Sequence, residues 1–272
     1  NNLAFLDVAV NTNWDVYIRD ANGCNISTPL DVVIGSDPLP SVTLPSFADD
    51  QCTSVGNSYT FTATPGGGEI TPVRYSIDGV NFQSSPTFTV SSDGTYTVTI
   101  RDGNGCPATD IITIYPPLQV NALVSAQPSC TVGGTITVTG AGGSGSYSFV
   151  LLDNLANPTG YIISGSDFTG VLAGDYIVEI TDTVTGCSSQ TPVSLETPSP
   201  VSFTTSVSDV SCNGGNDGVI TVSLDAGNDN PPYTYEITAP ISVGPQSSNI
   251  FTGLSAGTYD ITVTSGRDCS LT

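Results

Sequence analysis

Disulfide formation is the chemistry that this 272-residue sequence favours most clearly, because its seven cysteines recur at regular intervals. Four of them are separated by steps of 82, 81 and 82 residues: Cys24, Cys106, Cys187 and Cys269. The other three are separated by steps of 78 and 82 residues: Cys52, Cys130 and Cys212. Cysteines placed in register with a repeat indicate disulfides and an oxidising compartment.

The first set of cysteines ends four similar turns, here called the cysteine turns: 20–24, 102–106, 182–187 and 265–269. Their Asp and Asn oxygens raise the possibility of calcium, but calcium takes about six to eight oxygens and each turn offers one carboxylate. An Asp that opens the turn and a Gly at its left-handed position favour ordinary hairpin chemistry. Asp49-Asp50 and residues 228–230 add oxygens without EF-hand spacing. Calcium at the joints between repeats stays an open alternative.

The composition argues against most catalytic chemistry. The sequence has no His and no Lys, which removes Ser-His-Asp and Cys-His nucleophilic sites and Schiff-base chemistry. Acidic residues number 25 against 4 basic ones, and the net charge of −21 disfavours nucleic acid and anionic membrane as partners. No segment approaches the ~20 apolar residues of a membrane span. We therefore predict that the chain is not an enzyme and needs no metal or cofactor to fold.

Alternating side chains predict the elements that position the cysteines. In 96–100 and 259–263, apolar residues occupy every second position and polar residues, mostly Thr, lie between them, as in half-buried antiparallel strands. Residues 118–198 predict seven strands: 120–126, 135–139, 147–152, 161–163, 167–171, 176–181 and 190–196. Seven short strands in about 80 residues indicate an all-β, immunoglobulin-like sandwich.

The repeat length and the proline pairs predict a linear array of sandwiches. A unit of roughly 80 residues is large enough to be a domain, whereas solenoid repeats are shorter. Proline-rich joints divide the chain into four segments. Residues 1–37 are the C-terminal part of a truncated repeat, 38–117 and 118–198 are full repeats, and 199–272 is a repeat that lacks its last strand. The joints are short and extended, so we expect stiff coupling between neighbours in a longer chain.

An aromatic residue occurs at one register of every unit: Trp14, Tyr96, Tyr176 and Tyr259. A row of rings could stack on sugars, but a tyrosine-corner residue that closes a turn and packs on the core is the favoured interpretation. We expect these four rings to be mostly buried.

Two disulfide schemes fit the seven cysteines. A scheme within repeats has three bonds: Cys52 to Cys106, Cys130 to Cys187, and Cys212 to Cys269. An interdomain scheme has two: Cys52 to Cys187 and Cys130 to Cys269, with Cys24, Cys106 and Cys212 bonded to partners beyond this sequence. Five predicted strands lie between the turns of Cys130 and Cys187. An odd number places these turns at opposite poles, too far apart for the 4.4–6.8 Å between Cα atoms that a disulfide allows. The interdomain scheme is favoured, but loss of the short 161–163 strand would restore the other.

Three further segments carry a family resemblance: Cys-Asn-Gly-Gly-Asn-Asp-Gly-Val-Ile-Thr-Val at 212–222, Pro-Tyr-Thr-Tyr at 232–235, and Gly-Leu-Ser-Ala-Gly-Thr-Tyr at 253–259. Together with Asp-Gly-Asn-Gly-Cys at 102–106, they resemble the SprB-type repeat of Bacteroidota gliding-motility adhesins. Residues 52–57 depart from the pattern. The resemblance implies long cell-surface filaments that are exported by the type IX pathway, moved along the cell by a motor, and used to grip surfaces or polysaccharide. Asp182-Thr183-Val184 also resembles an acceptor for O-glycosylation at Thr183 in such bacteria.

We therefore expect a structural stalk segment of a long, secreted cell-surface adhesin filament that functions in attachment or gliding motility. Its expected partners are other repeats of the same polypeptide and surface polysaccharide. Two alternatives stay open. One is a carbohydrate-binding domain array that uses Tyr233 and Tyr235. The other is the accessory region of a secreted hydrolase.

Overall fold

The computed structural model describes residues 13–25, 28, 30–53, 58–228 and 230–272. Every regular element in these residues is a β-strand, which confirms the all-β class that the alternating pattern predicts. Among the same residues there is no helix with the length and apolar character of a membrane span. The chain divides into two compact units, Asn1–Pro116 and Pro117–Thr272.

The N-terminal unit contains nine of the described strands: β1 (Asn13–Val16), β2 (Leu30–Val33), β3 (Ser41–Thr43), β4 (Tyr59–Thr62), β5 (Thr64–Gly66), β6 (Arg74–Ser76), β7 (Thr87–Val90), β8 (Gly94–Arg101) and β9 (Pro107–Ile114). Strands β1 and β2 pair with each other, and the rest form the sheets β3-β5, β4-β7 and β6-β8-β9. Phe61 of β4, Val98 of β8 and Ile112 of β9 bury their side chains in one core between these sheets.

The C-terminal unit begins with seven strands, here called the middle sandwich: β10 (Gln119–Ala126), β11 (Gly134–Ala141), β12 (Tyr147–Asp153), β13 (Ile163–Ser164), β14 (Asp167–Val171), β15 (Gly174–Asp182) and β16 (Ser188–Leu195). One sheet has the order β10-β11-β14-β13 and the other β12-β15-β16. Ile136, Val138 and Phe168 of the first sheet pack against Leu151 and Val178 of the second. The two antiparallel sheets thus face each other across one core, as in an immunoglobulin-like sandwich.

The C-terminal sandwich has seven strands as well: β17 (Phe203–Ser208), β18 (Gly218–Leu224), β19 (Tyr233–Ala239), β20 (Val243–Gln246), β21 (Ile250–Leu254), β22 (Asp260–Ser265) and β23 (Ser270–Leu271). Its sheets are β17-β18-β21 and β20-β19-β22-β23. The core joins Val222 and Phe251 of the first sheet to Ile237 and Val263 of the second. Strand β23 is only two residues long, whereas β16 of the middle sandwich has eight.

All seven strands predicted for 118–198 are present, with boundaries that differ by a few residues. The short strand predicted at 161–163 forms at Ile163–Ser164. Tyr161 lies before this strand, and its Oη accepts the Leu172 backbone N–H at 3.1 Å. The four-repeat division itself stays a prediction. Of its first segment, residues 1–12, 26, 27 and 29 lie outside the described residues.

Candidate functional site: the joint between two sandwiches

The cysteine turns share one backbone closure. In the turn at 102–106, the N–H of Asp102 donates to the carbonyl of Cys106 at 3.1 Å. The same bond joins the first and last residues of the other three turns at 2.8–3.0 Å. Gly105 adopts a φ of 85°, in the left-handed region, where an L side chain would be strained. These features are the hairpin chemistry that the sequence pattern predicts.

The Asp that opens a cysteine turn is used by the backbone. The Asp102 Oδ1 accepts the N–H groups of Asn104 at 3.0 Å and Cys106 at 2.8 Å. In the buried Asp182, Oδ1 accepts the backbone N–H groups of Val184 and Thr185 and the hydroxyl of Ser144. Burial alone would raise the pKa of the Asp182 carboxyl, but these hydrogen bonds outweigh burial and hold the pKa below its usual range.

The fourth cysteine turn replaces both signature residues and keeps the fold. Ser265 stands where the other turns have Asp, and its Oγ accepts the N–H groups of Arg267 at 3.3 Å and Cys269 at 3.2 Å. Asp268 stands where they have Gly, with a φ of 54°. The third turn position is Asn22 or Asn104 in two other turns and Arg267 here. Its backbone is therefore the same loop with a longer, cationic side chain.

This turn carries the covalent bond between the two sandwiches. Cys269 forms a disulfide with Cys130, which lies in the turn between β10 and β11, and the two Cα atoms are 5.0 Å apart. The backbone adds a second connection, because the N–H of Cys130 donates to the carbonyl of Arg267 at 2.9 Å. Cys269 is buried, so the bond is sheltered on the side of the C-terminal sandwich.

Arg267 adds a polar clamp around the disulfide. Its Nε and Nη2 donate to the carbonyl of Pro128 at 2.8 and 2.6 Å, and Nη2 also donates to the carbonyl of Glu196 at 2.6 Å. The ion pair with the Glu196 carboxylate is 3.9 Å long, and that carboxylate side chain is 76% exposed. An exposed pair of this length contributes little, so the clamp consists mainly of charge-assisted bonds to carbonyls.

Hydrogen bonds from both sandwiches hold the linker between them. On the middle side, the N–H of Glu196 donates to Oε1 of Gln127 at 2.9 Å. On the C-terminal side, Nδ2 of the buried Asn230 donates to the carbonyl of Ser199 at 3.0 Å. Asn230 is itself fixed, because its carbonyl accepts the N–H of Gly266 at 2.9 Å. Here "the joint" means residues 127–132, 196–202, 228–230 and 265–269, of which Asp229 lies outside the described residues.

The cysteines are not paired within repeats. Cys130 bonds to Cys269 and not to Cys187. Cys106 and Cys212 are free thiols, although the scheme within repeats pairs them with Cys52 and Cys269. The physical reason is the strand parity: β11 to β15 run between the turns of Cys130 and Cys187 and leave these turns at opposite poles. Cys52 and Cys187 are also disulfide-bonded, and Cys24 is an exposed free thiol. The bond between Cys52 and Cys187 in the interdomain scheme stays a prediction.

The repeated tyrosines are mostly buried, as expected, although none is fully buried, and each packs against the core of its domain. Each Oη donates to the carbonyl four residues earlier: Tyr96 to Ser92 at 2.9 Å, Tyr176 to Leu172 at 3.1 Å, and Tyr259 to Ser255 at 2.8 Å. A ring that reaches back to a turn lies at the end of the core, which explains its partial exposure. The bond itself is that of a tyrosine corner.

Trp14 departs from the expectation, since it is 38% exposed. Strand β1, which carries it, belongs to a two-stranded sheet with β2 in the part of the chain that the structure describes. A ring on such a sheet has less apolar surface against which to pack than the tyrosines have in a sandwich.

The residues considered for sugar binding do not form an exposed aromatic surface. Tyr235 is buried in the core of the C-terminal sandwich. Tyr233 is half-buried, and its Oη accepts the N–H of Asn230 at 3.0 Å. Thr183, the candidate O-glycosylation residue, is exposed in its cysteine turn, with Oγ1 3.3 Å from the carbonyl of Ser146. Its modification stays a prediction.

The oxygens considered for calcium also have protein partners. Oδ1 of Asp50 accepts the N–H of Thr60 at 2.7 Å, and the side-chain amide of Asn228 bonds to both backbone groups of Ser202. Within the described residues there is no cluster of three or more acidic, Cys or His side chains that could hold a metal.

Sequence reasoning missed two residues of the joint, Arg267 and Asn230. Arg267 could have been recognised from the sequence, because it is one of four basic residues in a chain of net charge −21 and replaces the Asn of a repeated turn. Asn230 could not have been recognised, because Asn is common in turns for local reasons and its hydrogen bond to the Ser199 carbonyl spans 31 residues.

Comparison with known proteins gives one family. Residues 204–240 match the family model described as SprB repeat, which confirms the resemblance over that segment of the C-terminal sandwich. No curated protein matches the chain.

Several solved structures of tandem β-domains are similar to the chain at low sequence identity. The three N-terminal domains of the bacteriophage RB49 highly immunogenic outer capsid protein are 16% identical, with a TM-score of 0.39 over 83% of this chain and 90% of that one. The N-terminal eight Ig domains of Down syndrome cell adhesion molecule are 13% identical, with a TM-score of 0.39 over 97% of this chain and 43% of that one. Domains 1–6 of surface layer protein SbsC are 12% identical, with a TM-score of 0.26 over 86% and 53%.

Proposed function

We propose that the chain is a structural stalk segment of a secreted cell-surface adhesin, in which neighbouring sandwiches are stiffly coupled. The observation that carries the proposal is the joint, where the disulfide of Cys130 and Cys269 is surrounded by the carbonyl clamp of Arg267. A flexible tether between independent domains would need none of these bonds. Their concentration at one joint supports transmission of tension and orientation along the chain.

The number of independent attachments explains the stiffness. Rotation of one sandwich against the other would strain the disulfide, break the backbone bond between Cys130 and Arg267, and separate the guanidinium from two carbonyls. The linker cannot absorb the motion, because Glu196 is bonded to one sandwich and Ser199 to the other. Each hydrogen bond is worth only about 1 kcal/mol, and bonds to a charged donor about 1.5–3, but a hinge motion must break them together.

The wider role follows from the SprB-repeat segment at 204–240 and is part of the proposal. In it, repeats at 38–117, 118–198 and 199–272, with part of another at 1–37, belong to a longer extracellular filament. The filament functions in attachment or gliding motility and leaves the cell through the type IX pathway. Its partners are further repeats of the same polypeptide and surface polysaccharide. A disulfide at the joint is in keeping with an extracellular location.

The test is whether the two sandwiches tumble together. We would measure ¹⁵N relaxation and residual dipolar couplings on the whole 272-residue chain under oxidising conditions. One common diffusion and alignment tensor is expected for amides of the middle and C-terminal sandwiches. The variant with both Cys269→Ser and Arg267→Ala should give two different tensors, whereas Cys212→Ser, which removes a free thiol, should give one. Two independent tensors in the wild-type chain would refute the stalk proposal.

A further inference from the structure

The joint is closed by several contacts that do not require the disulfide between Cys130 and Cys269. The backbone N–H of Cys130 donates to the carbonyl of Arg267 at 2.9 Å. The guanidinium of Arg267 donates to the carbonyls of Pro128 and Glu196. Each of these bonds joins the C-terminal sandwich to the middle sandwich or to the linker through atoms other than sulfur. The joint can therefore dock while both cysteines are still thiols.

The backbone carbonyl of Arg267 lies beside both cysteines. It accepts the N–H of Cys130 and lies 3.6 Å from Sγ of Cys269. The turn that presents this carbonyl is itself fixed, because Oγ of Ser265 accepts the N–H groups of Arg267 and Cys269. Docking of this turn places the Cα atoms of the two cysteines 5.0 Å apart, within the 4.4–6.8 Å that a disulfide allows.

The side chain of Arg267 holds the segment that carries the first cysteine. Pro128 lies two positions before Cys130, and its carbonyl accepts hydrogen bonds from both Nε and Nη2 of the guanidinium. The Arg267 side chain is only 17% exposed. Charge-assisted bonds in such a place compete less with water than bonds on an open surface. The arginine therefore contributes directly to the contact between Cys130 and the turn of Cys269.

The same position of another cysteine turn also contacts a linker. Asn104 is the third residue of the turn at 102–106, and its Nδ2 donates to Oδ2 of Asp37 at 3.3 Å. Asp37 directly precedes the predicted repeat 38–117, as Glu196 closely precedes the predicted repeat 199–272. The third position of the turn thus meets the linker in front of its own repeat in both cases. Only Arg267 makes this contact with a charged donor.

We propose that Arg267 is a positioning residue for disulfide formation, which docks the reduced joint and brings Cys130 and Cys269 together before an oxidant acts. This role rests on the stalk function proposed above, because it is the way in which the stiff joint is assembled. Without docking, the two thiols would belong to domains joined only by a linker, with an effective concentration of about millimolar. Hydrogen bonds from a charged donor raise that concentration by at least about tenfold.

The oxidant is a small-molecule disulfide, for which oxidised glutathione is the probe. Cys130 is exposed and Cys269 is buried, so the oxidant meets Cys130 first. The Cys130 thiolate attacks the small disulfide and releases one glutathione thiolate. The Cys269 thiolate then attacks Sγ of Cys130 in the mixed disulfide, and the second glutathione thiolate leaves as the protein disulfide forms. Two protein thiols are oxidised, one glutathione disulfide is reduced to two thiols, and these take up the two protons.

The first test measures the equilibrium of the whole 272-residue chain with defined mixtures of reduced and oxidised glutathione, by peptide mapping of the bond between Cys130 and Cys269. Its equilibrium constant should be at least about tenfold lower in Arg267→Ala, which corresponds to a reduction potential about 30 mV less negative. Arg101→Ala is the matched control and should change nothing, because Arg101 stacks on Phe82 in the N-terminal unit. Equal constants for the wild-type chain and Arg267→Ala would overturn the proposal.

The second test removes the disulfide and keeps the arginine. The chain with both Cys130→Ser and Cys269→Ser should give one common alignment tensor for the middle and C-terminal sandwiches, and addition of Arg267→Ala should give two. Two tensors without Arg267→Ala, or one tensor with it, would refute the role of the arginine. If the oxidised wild-type chain still gave one tensor, the stalk function would stand alone, whereas two tensors in that chain would refute both.

Discussion

The middle and C-terminal sandwiches have the same design on one sheet and differ on the other. In both, the second strand pairs with the first and with the fifth: β11 pairs with β10 and β14, and β18 pairs with β17 and β21. The register of the second strand shifts after an initial glycine, between Gly134 and Thr135 in one sandwich and between Gly218 and Val219 in the other. On the opposite sheet, β15 has a long partner on the side where β22 has a short one. The inner core is equally closed at Val138 and Val222, so it does not depend on the last strand.

Their cysteine turns differ in a second way. The middle turn is stabilised by a buried carboxylate, Asp182, and the C-terminal turn by a hydroxyl, Ser265. Both close with the same backbone bond. The loop therefore tolerates different first residues, and its third position is available for a side chain such as Arg267 that serves the joint.

The largest effect is expected from a change that makes the middle sandwich resemble its neighbour. Leu195→Ala should destabilise the middle sandwich by about 3–4 kcal/mol, because the side chain is fully surrounded by the core and leaves a cavity. Hydrogen exchange of the Val178 and Leu151 amides measures this locally. The matched change in the C-terminal sandwich, Leu271→Ala, should cost below about 1 kcal/mol, since Leu271 is 44% exposed. Similar losses at both positions would mean that the burial of these two side chains does not decide their contribution to stability.

Removal of the disulfide ranks next. Cys269→Ser should lower the free energy of unfolding of the C-terminal sandwich by about 3 kcal/mol, because the bond joins residues 139 positions apart and restricts the unfolded chain. Exchange of the Val222 and Val263 amides under increasing denaturant reports the change. Cys212→Ser is the matched control and should have no effect, because that thiol is free and exposed. A lower free energy of unfolding in Cys212→Ser would show that the free thiol contributes to the stability of the fold.

The difference between the two turns gives a pH-dependent prediction. Asp182→Asn should cost the middle sandwich about 2 kcal/mol at neutral pH, because an amide places a donor against the Ser144 N–H that the carboxylate accepts. Since the folded-state pKa of Asp182 is lowered, its stabilisation is complete above the unfolded-state pKa of about 3.9 and is lost as pH falls through the folded value. The wild-type and variant stabilities should therefore converge below about pH 4. Ser265→Ala should cost about 1 kcal/mol, independent of pH. If the destabilisation by Ser265→Ala also disappeared at low pH, this would contradict the assignment of the pH dependence to the Asp182 carboxylate.

Most of the fold could be predicted from local pattern, and most of the joint could not. Alternating apolar residues located β15 and β22 because one face of a sandwich strand is always buried. Counting strands separated the disulfide schemes, although the decision depended on β13, a strand of two residues.

The remaining features depend on contacts between residues distant in sequence. Arg267 reaches Pro128 across 139 positions, and Asn230 reaches Ser199 across 31. The burial of Trp14 was overestimated for a related reason, since the sequence gives the register of a ring but not the apolar surface that other strands place against it.

The smallest effect concerns the tyrosine corners and separates the hydroxyl from the ring. Tyr176→Phe keeps the ring but removes the bond from Oη to the Leu172 carbonyl, so a loss of about 1 kcal/mol is expected. Tyr259→Phe removes the equivalent bond to the Ser255 carbonyl, and a similar loss is expected. The comparison is sharpened by Tyr→Ala at the same positions. Tyr176→Ala should cost about 3 kcal/mol, because the ring packs on the core and on Tyr161, whereas Tyr259→Ala should cost less because Tyr259 has no such ring partner among the described residues. Hydrogen exchange in β15 and β22 measures all four variants. Equal costs for the two alanine variants would show that the contact with Tyr161 adds nothing to the packing of Tyr176.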